Sequence, residues 1–258
     1  MQFRKPRWET RNVLSAAHIL DVRQQRTSCV VLAAEGCVEM TPIQLYSYQT
    51  PNGHKASIML EETGLPYEVH LVDIENDDQF RPGFLALNPN NKIPVIVDRR
   101  SRTVFESGAI LLYLADRSGV LKPRNETEAG LALQWVLFQA AHVGPTLGQL
   151  WHYQVFAAEK LPQVIARFER ETDRVLRVLD AQLGPRRYLI GDLFGVADVM
   201  TWPWINAAAS KLGVDLAPYP NLVRWFTEIG ARPAVRRGLR IPVLDEQEAA
   251  ATEVAAAS

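Results

Sequence analysis

From Ile43 the chain alternates with a period of two. Ile43, Leu45 and Ser47 fall on one side, and Gln44, Tyr46 and Tyr48 on the other, which predicts a half-buried strand. Thr50-Pro51-Asn52-Gly53 follows and predicts a turn that opens a helix, with proline tolerated at a first helical position. Along residues 55–63, Ala56, Met59 and Leu60 share a face, and Gly64 stands where a C-terminal cap belongs. Residues 67–73 alternate again, 79–87 suit a short helix, 93–97 read as a third strand and 103–105 as a fourth. Residues 107–117 are apolar almost all round, which predicts a buried helix. The predicted order is β-α-β-α-β-β-α.

Gly119, Pro123 and Asn125 mark residues 119–127 as a linker. Beyond it the pattern is helical, with no convincing strand. Residues 128–143 are strongly apolar. Residues 163–183 carry Ile165, Phe168, Thr172, Val175, Leu179 and Leu183 on one stripe, with Arg167, Arg170, Arg174 and Arg177 off it, the pattern of a solvated face. Residues 196–209 are apolar around Pro203, where a kink is expected, and 222–229 pack Val223, Trp225, Phe226 and Ile229. The predicted fold class is an α/β N-terminal domain (42–118) followed by an all-α C-terminal domain (128–244). The basic segment 1–41 is expected to be a flexible extension, with a transit peptide or a true start at Met40 as alternatives. The Ala- and Glu-rich tail 245–258 is expected to be loose.

Composition narrows the function. Of 258 residues, 47% are hydrophobic, enough for a real core. A formal net charge of -1 gives no electrostatic footprint for nucleic acid or an anionic membrane, and the apolar runs are too short or interrupted for a membrane span. The 2 cysteines, Cys29 and Cys37, both precede Met40. The domains therefore have no thiol, disulfide or thiolate metal site of their own. The histidines show no metal-ligand spacing, so no metal is expected.

The stretch from Asn88 to Val97 and the one from Phe105 to Ile110 carry the candidate chemistry. An Ile93-Pro94 step can hold a cis bond and leave the backbone of Ile93 free to pair with a ligand. Ser107, behind the acidic Glu106, is placed to cap a helix whose N-terminus would receive a carboxylate. Together they suggest a pocket that grips a small extended anion by its backbone and by one end.

These residues resemble the cytosolic glutathione transferase family, over residues 42–242. The motifs are Lys92-Ile93-Pro94, Glu106-Ser107 and the all-α second domain. Thr50-Pro51-Asn52-Gly53-His54-Lys55, Gln79-Phe80-Arg81-Pro82, Ala197-Asp198 and Trp202-Pro203-Trp204 are similar to the Nu class, the Ure2-like disulfide-bond oxidoreductases. The resemblance implies a thioredoxin-like N-terminal domain, glutathione as co-substrate, a cytoplasmic homodimer, and reduction of a disulfide by glutathione. Conjugation of small electrophiles is the alternative, and a non-catalytic interaction module the alternative of another class.

It also implies roles. Thr50 and Asn52 would be catalytic, lying beside the glutathione sulfur. A thiol of pKa ~8.5 must be lowered by ~2 units, or about 2.7 kcal/mol, to be mostly ionised at neutral pH. A helix N-terminus with a hydroxyl and an amide donor could supply this. Tyr46 and Tyr48 are the runners-up. Ser107 would receive the γ-glutamyl carboxylate, Glu106 the α-amino group, and Ile93 the cysteinyl backbone, as an added strand. Gln79 would also contact the ligand, and Arg167 would meet its glycyl end. His54, Lys55 and Lys92 fit the motif without a defined role. Each has a plainer reading: Thr50 as a cap, Asn52 as a turn residue, Glu106 as a surface acid, Ile93 as core, Gln79 and Arg167 as solvated. Trp135, Phe138, Trp151, His152 and Tyr153 could line a cleft or fill the core. Two departures stand out: a short loop between Asp98 and Thr103, and Gly195 where the family has Ser or Thr as cap, worth a few tenths of a kcal/mol.

Overall fold

The computed structural model describes residues 41–99 and 102–244. The expectations for the N-terminal segment to residue 40, with Cys29 and Cys37, and for the tail from residue 245 lie outside the described residues.

The first unit is built on a four-stranded mixed sheet of order β2-β1-β3-β4, with β1 Ile43–Ser47, β2 Tyr67–Leu71, β3 Val95–Asp98 and β4 Arg102–Phe105. β1 runs parallel to β2, with Leu45 opposite Val69, and antiparallel to β3, with Leu45 opposite Ile96. β4 closes the antiparallel edge, Ile96 facing Val104. Period-two alternation sends Ile43, Leu45 and Ile96 to one face. There helices α1 (Pro51–Thr63) and α3 (Ser107–Ser118) bury Ala56, Met59, Leu60, Ile110, Leu111 and Leu114. The opposite face is covered by the one-turn helix α2 (Pro82–Leu85), whose Phe84 packs with Val72 and Val95. A 3-10 turn, Asp78–Phe80, precedes α2, so the predicted helix over 79–87 is split at Pro82.

Gly119 ends α3 in the left-handed conformation, φ 71°. Helix α4 (Glu126–Phe138) starts at Asn125, whose side chain accepts the N–H of Glu128 at 2.9 Å. It thus begins two residues inside the stretch read as linker. α4 runs through a π-helical turn, Gln139–Val143, into α5 (Gly144–Trp151) and a second π turn, His152–Phe156. The amphipathic α6 (Pro162–Leu183) buries Thr172, Val175, Leu176, Leu179 and Leu183, most of the predicted stripe. α7 (Val196–Lys211) is nearly all buried and continues through Pro203. α8 (Pro220–Gly230) buries Leu222, Trp225 and Ile229.

At the start of α7 the buried Asp198 carboxylate accepts the N–H groups of Gly195 (3.0 Å) and Leu189 (3.0 Å) and the indole N–H of Trp225 (2.7 Å). The acid does the capping that a glycine at position 195 cannot. Burial nonetheless pushes its carboxyl up to about 6, against the pull of those donors. A short helix absent from the sequence reading, α9 (Pro233–Gly238), folds back onto α1. Ser57 Oγ donates to the carbonyl of Gly238 at 2.7 Å, Arg232 pairs with Glu62 at 2.7 Å, and Arg237 pairs with Glu61. The Ile93–Pro94 and Ile241–Pro242 bonds are cis.

Candidate active site

The N-terminus of α1 is locally determined. Thr50 is the N-cap, accepting the N–H of Gly53 at 3.1 Å. Pro51 brings no N–H, and His54 N–H is taken by the Thr50 carbonyl at 2.9 Å. That leaves the Asn52 N–H, among the described residues, as the first-turn donor without a partner. Gly53 is required here: a Cβ would lie 2.1 Å from the Tyr48 carbonyl oxygen and 2.6 Å from Ser47 Oγ. The helix therefore starts hard against the end of β1.

One turn on, Lys55 points inward and is 2% exposed. Its ammonium contacts Asn52 Oδ1 (2.9 Å), Gln139 Oε1 (2.9 Å) and, at the long end of the range, Ser107 Oγ (3.4 Å). Burial pulls its pKa down to about 7, and the charge of Glu106 opposes that shift. Trp204 of α7 donates its indole N–H to the same Asn52 Oδ1 at 2.9 Å. The two units of the chain thus meet at a polar knot made of residues from α1, α3, α7 and the first π turn.

α3 begins beside this knot. Contrary to the sequence expectation, Glu106 and not Ser107 occupies the cap position. β4 delivers the chain to Glu106 at φ 70°, ψ 115°, a conformation that costs a side-chain-bearing residue roughly 1–3 kcal/mol. Its side chain makes no cap hydrogen bond and shares the cleft with Ser107. The first hydrogen bond back into the helix is from Ile110 to the Glu106 carbonyl. The N–H groups of Ser107, Gly108 and Ala109 therefore point out of the helix start, where an anion would be received. The loop before β3 is pinned by Asn88, which donates to the Lys92 carbonyl (2.7 Å) and accepts from Asn90 N–H (2.9 Å). Neither the N–H nor the C=O of Ile93 has a partner among the described residues.

These groups surround a cleft of about 830 Å³. Asn52, Lys55, Lys92, Glu106 and Ser107 form its polar side. Leu112, Leu133, Val136, Leu137, Met200 and Trp204 form its apolar side, and Gly144 and Gly148 of α5 form one wall. A Cβ at Gly144 would lie 3.1 Å from Gln139 Nε2 and 3.5 Å from Trp204 Nε1, and one at Gly148 would lie 3.4 Å from the Trp204 ring. The expectation that α3 is buried all round fails for the same reason. Ala109 is exposed and Leu112 half-buried, because that flank opens on the cleft. Among the described residues no group of three His, Cys, Asp or Glu side chains could hold a metal ion, and no helix is long and apolar enough to cross a membrane.

Residues 50–117 match the glutathione S-transferase N-terminal domain family, and 162–228 its C-terminal domain family. The Escherichia coli disulfide-bond oxidoreductase YfcG is 41% identical over 203 residues, spanning 76% of this chain and 94% of its own. This chain belongs to the glutathione transferase family. The E. coli disulfide-bond oxidoreductase YghU is also 41% identical, over 76% of this chain and 74% of its own. Among solved structures, a Burkholderia graminis glutathione transferase with two glutathione molecules bound per subunit superposes with TM-score 0.77, at 43% identity, over 79% of this chain and 90% of that one. A Pseudomonas putida glutathione transferase with one glutathione disulfide per subunit gives TM-score 0.75 and 39% identity, over 78% and 92%.

Within this transferase fold the sequence-predicted residues do not all converge. Asn52, Glu106 and Ser107 line one cleft, with Thr50 capping the helix that carries Asn52 and Ile93 adjoining the cleft-lining Lys92. Gln79 sits in the 3-10 turn, its amide near the Ile74 carbonyl (3.4 Å), and Arg167 is exposed on α6; neither lines the cleft. Tyr46 stacks on His70 at 4.5 Å and Tyr48 is buried. Burial raises both phenol pKa values, for Tyr48 with help from Asp73 and Glu75, and neither residue lines the cleft. Trp135 is core, paired edge-on with Phe138, and Tyr153 stacks on Phe168. Helices α4 and α5 face the cleft with their aliphatic and glycine side instead.

Lys55, Gln139 and Trp204 also line the cleft, and sequence reasoning left them without a role. A partial signal existed for one: Gln139 is one of two amides, with Gln134, in the apolar run 128–143, and an amide that becomes buried needs partners.

Proposed function

We propose that this transferase reduces disulfides with glutathione, the tripeptide supplying the thiol that the fold lacks. What carries the reading is a cleft with amide and helix-terminus donors at Asn52, an acid and a carboxylate-receiving helix start at Glu106 and Ser107, and no cysteine anywhere in residues 41–258. The two E. coli relatives are disulfide-bond oxidoreductases, and related structures hold two glutathiones or one glutathione disulfide.

In this reading the γ-glutamyl carboxylate sits at the N–H groups that open α3 and at the Ser107 hydroxyl. The α-amino group pairs with Glu106. The cysteinyl N–H and C=O bond to the free backbone of Ile93. That extended pose directs the sulfur toward the start of α1, where the Thr50 hydroxyl proton and the Asn52 amide stabilise the thiolate. The thiolate attacks one sulfur of the substrate disulfide, forming a mixed disulfide and releasing the other sulfur as a thiolate. A second glutathione thiolate then attacks the glutathionyl sulfur, giving glutathione disulfide and the second substrate thiolate. Two thiols are oxidised and one disulfide reduced. Gln79 and Arg167 enter as contacts that a ligand extending past the cleft, or a second subunit, would bring into range; the reading does not depend on them.

The reading includes a cytoplasmic homodimer. Light scattering on the purified protein tests the dimer. Turnover of a small disulfide with glutathione, alongside turnover of a chlorinated aromatic acceptor, tests the chemistry. Reductase activity well above conjugation is expected; conjugation alone would replace this reading with an electrophile transferase.

A further inference from the structure

We propose that Lys55 is a positioning residue for thiol activation: from below the cleft it locks the Asn52 carboxamide so that the amide N–H₂ faces the bound sulfur. This inference rests on the cleft being the glutathione site.

The geometry fixes which end of Asn52 is which. A lysine ammonium and an indole N–H are donors only. Both Lys55 Nζ and Trp204 Nε1 lie 2.9 Å from the same terminal atom of Asn52, so that atom must be the carbonyl oxygen. The other terminal atom is then the N–H₂, without a partner among the described residues, on a side chain that lines the cleft. Turning the amide over would set its hydrogens against two donors and is strongly opposed. The orientation that a sulfur anion needs is therefore imposed from beneath.

Lys55 is itself held in place. Asn52 Oδ1, Gln139 Oε1 and Ser107 Oγ give the three ammonium hydrogens three acceptors. One of these, Ser107, belongs to the carboxylate end of the proposed ligand, so a single side chain sets the spacing of both ends. Its charge lies in a desolvated place where it favours an anion above it. The other charged side chains sharing the cleft are Glu106 and Lys92, while Asn52, Ser107, Gln139 and Trp204 are neutral. The nearby acid acts against the thiolate, and the lysine offsets it.

The test compares wild type, Lys55→Met, Trp204→Phe, Asn52→Ala and the double variant Lys55→Met/Asn52→Ala. Glutathione binding is followed by calorimetry, the bound thiol by its ultraviolet thiolate absorbance across pH, and turnover by kcat and KM. Lys55→Met is expected to raise the pKa of the bound thiol by about one unit and to lower kcat/KM at neutral pH about tenfold. In an Asn52→Ala background it should change either quantity little further. Should Lys55→Met fail to fold, Trp204→Phe decides the matter, because it removes the other donor and should shift the thiol in the same direction. A folded Lys55→Met with an unshifted thiol, or a loss fully additive with Asn52→Ala, overturns the inference while the glutathione site stands. Wild-type protein that binds no glutathione overturns the site and the inference together.

Discussion

Ser57, in the middle of the first helix, donates its hydroxyl to the carbonyl of Gly238, 181 positions later in the chain, at 2.7 Å. The approach is that close because Gly238 has no side chain: a Cβ would sit 2.7 Å from the Ile58 backbone nitrogen and Cα. The backbone of α9 therefore lies directly on α1. Gly238→Ala is expected to destabilise the protein by about 1–3 kcal/mol through overpacking. Urea unfolding of the two forms should give a lower midpoint with little change in slope.

Gly53→Ala should hurt both stability and ligand binding. Its Cβ would meet the Tyr48 carbonyl at 2.1 Å, and backbone on both sides would have to yield. A loss of about 2 kcal/mol or more is expected. Because the displaced segment includes Asn52, calorimetric affinity for glutathione should fall in whatever fraction still folds. An unaltered affinity would show that the start of α1 does not touch the ligand.

Asp198 separates hydrogen bonding from charge. Its carboxylate satisfies two backbone N–H groups and one indole N–H, all buried. Asp198→Ala would strand those three donors, at about 1–3 kcal/mol each, and should leave the protein barely folded at room temperature. Asp198→Asn keeps one carbonyl oxygen and should cost less. Since the folded carboxyl titrates at about 6, above the ordinary 3.8 of an aspartate, the native state holds the extra proton between those limits. The contribution of this group therefore weakens stability as pH rises from 4 to 6. Denaturant midpoints of wild type minus Asp198→Asn across that range should shrink.

Lys55 gives a slope of the opposite sign. Folded, it titrates near 7 instead of 10.5, so between those values the unfolded chain binds one more proton. The burden of a desolvated ammonium is complete below pH 7 and is relieved as pH climbs toward 10. Lys55→Met should lack that relief. The stability of wild type relative to the variant should thus rise with alkalinity, by an amount of order a few kcal/mol at most, measured by urea titration at several pH values.

The sheet and the main helices were legible because period-two and helical patterns coincide with burial: Ile43 and Leu45, or Val175, Leu179 and Leu183, sit where spacing puts them. The motif around Asn52, Glu106 and Ser107 was legible as a set of anion-binding parts. The cap of α3 was misread because serine is the better capping side chain, while a left-handed backbone at an acid leaves no mark in sequence. α9 is six residues long and too short for any period to emerge. The role of Lys55 depends on partners 52 and 84 positions away, and only tertiary structure brings them within reach. A charged residue in an otherwise core-forming helix looks the same whether it is solvated or buried.

Gly144 and Gly148 back onto the Trp204 ring while also forming a wall of the cleft. Bulk added there would narrow the room for an incoming acceptor and push the indole away from Asn52 in the same stroke. On that side of the molecule, the choice of partner molecule and the reactivity of the nucleophile cannot be tuned separately. Attempts to re-engineer selectivity would do better to start from the exposed Leu133 and Leu137 on the apolar side.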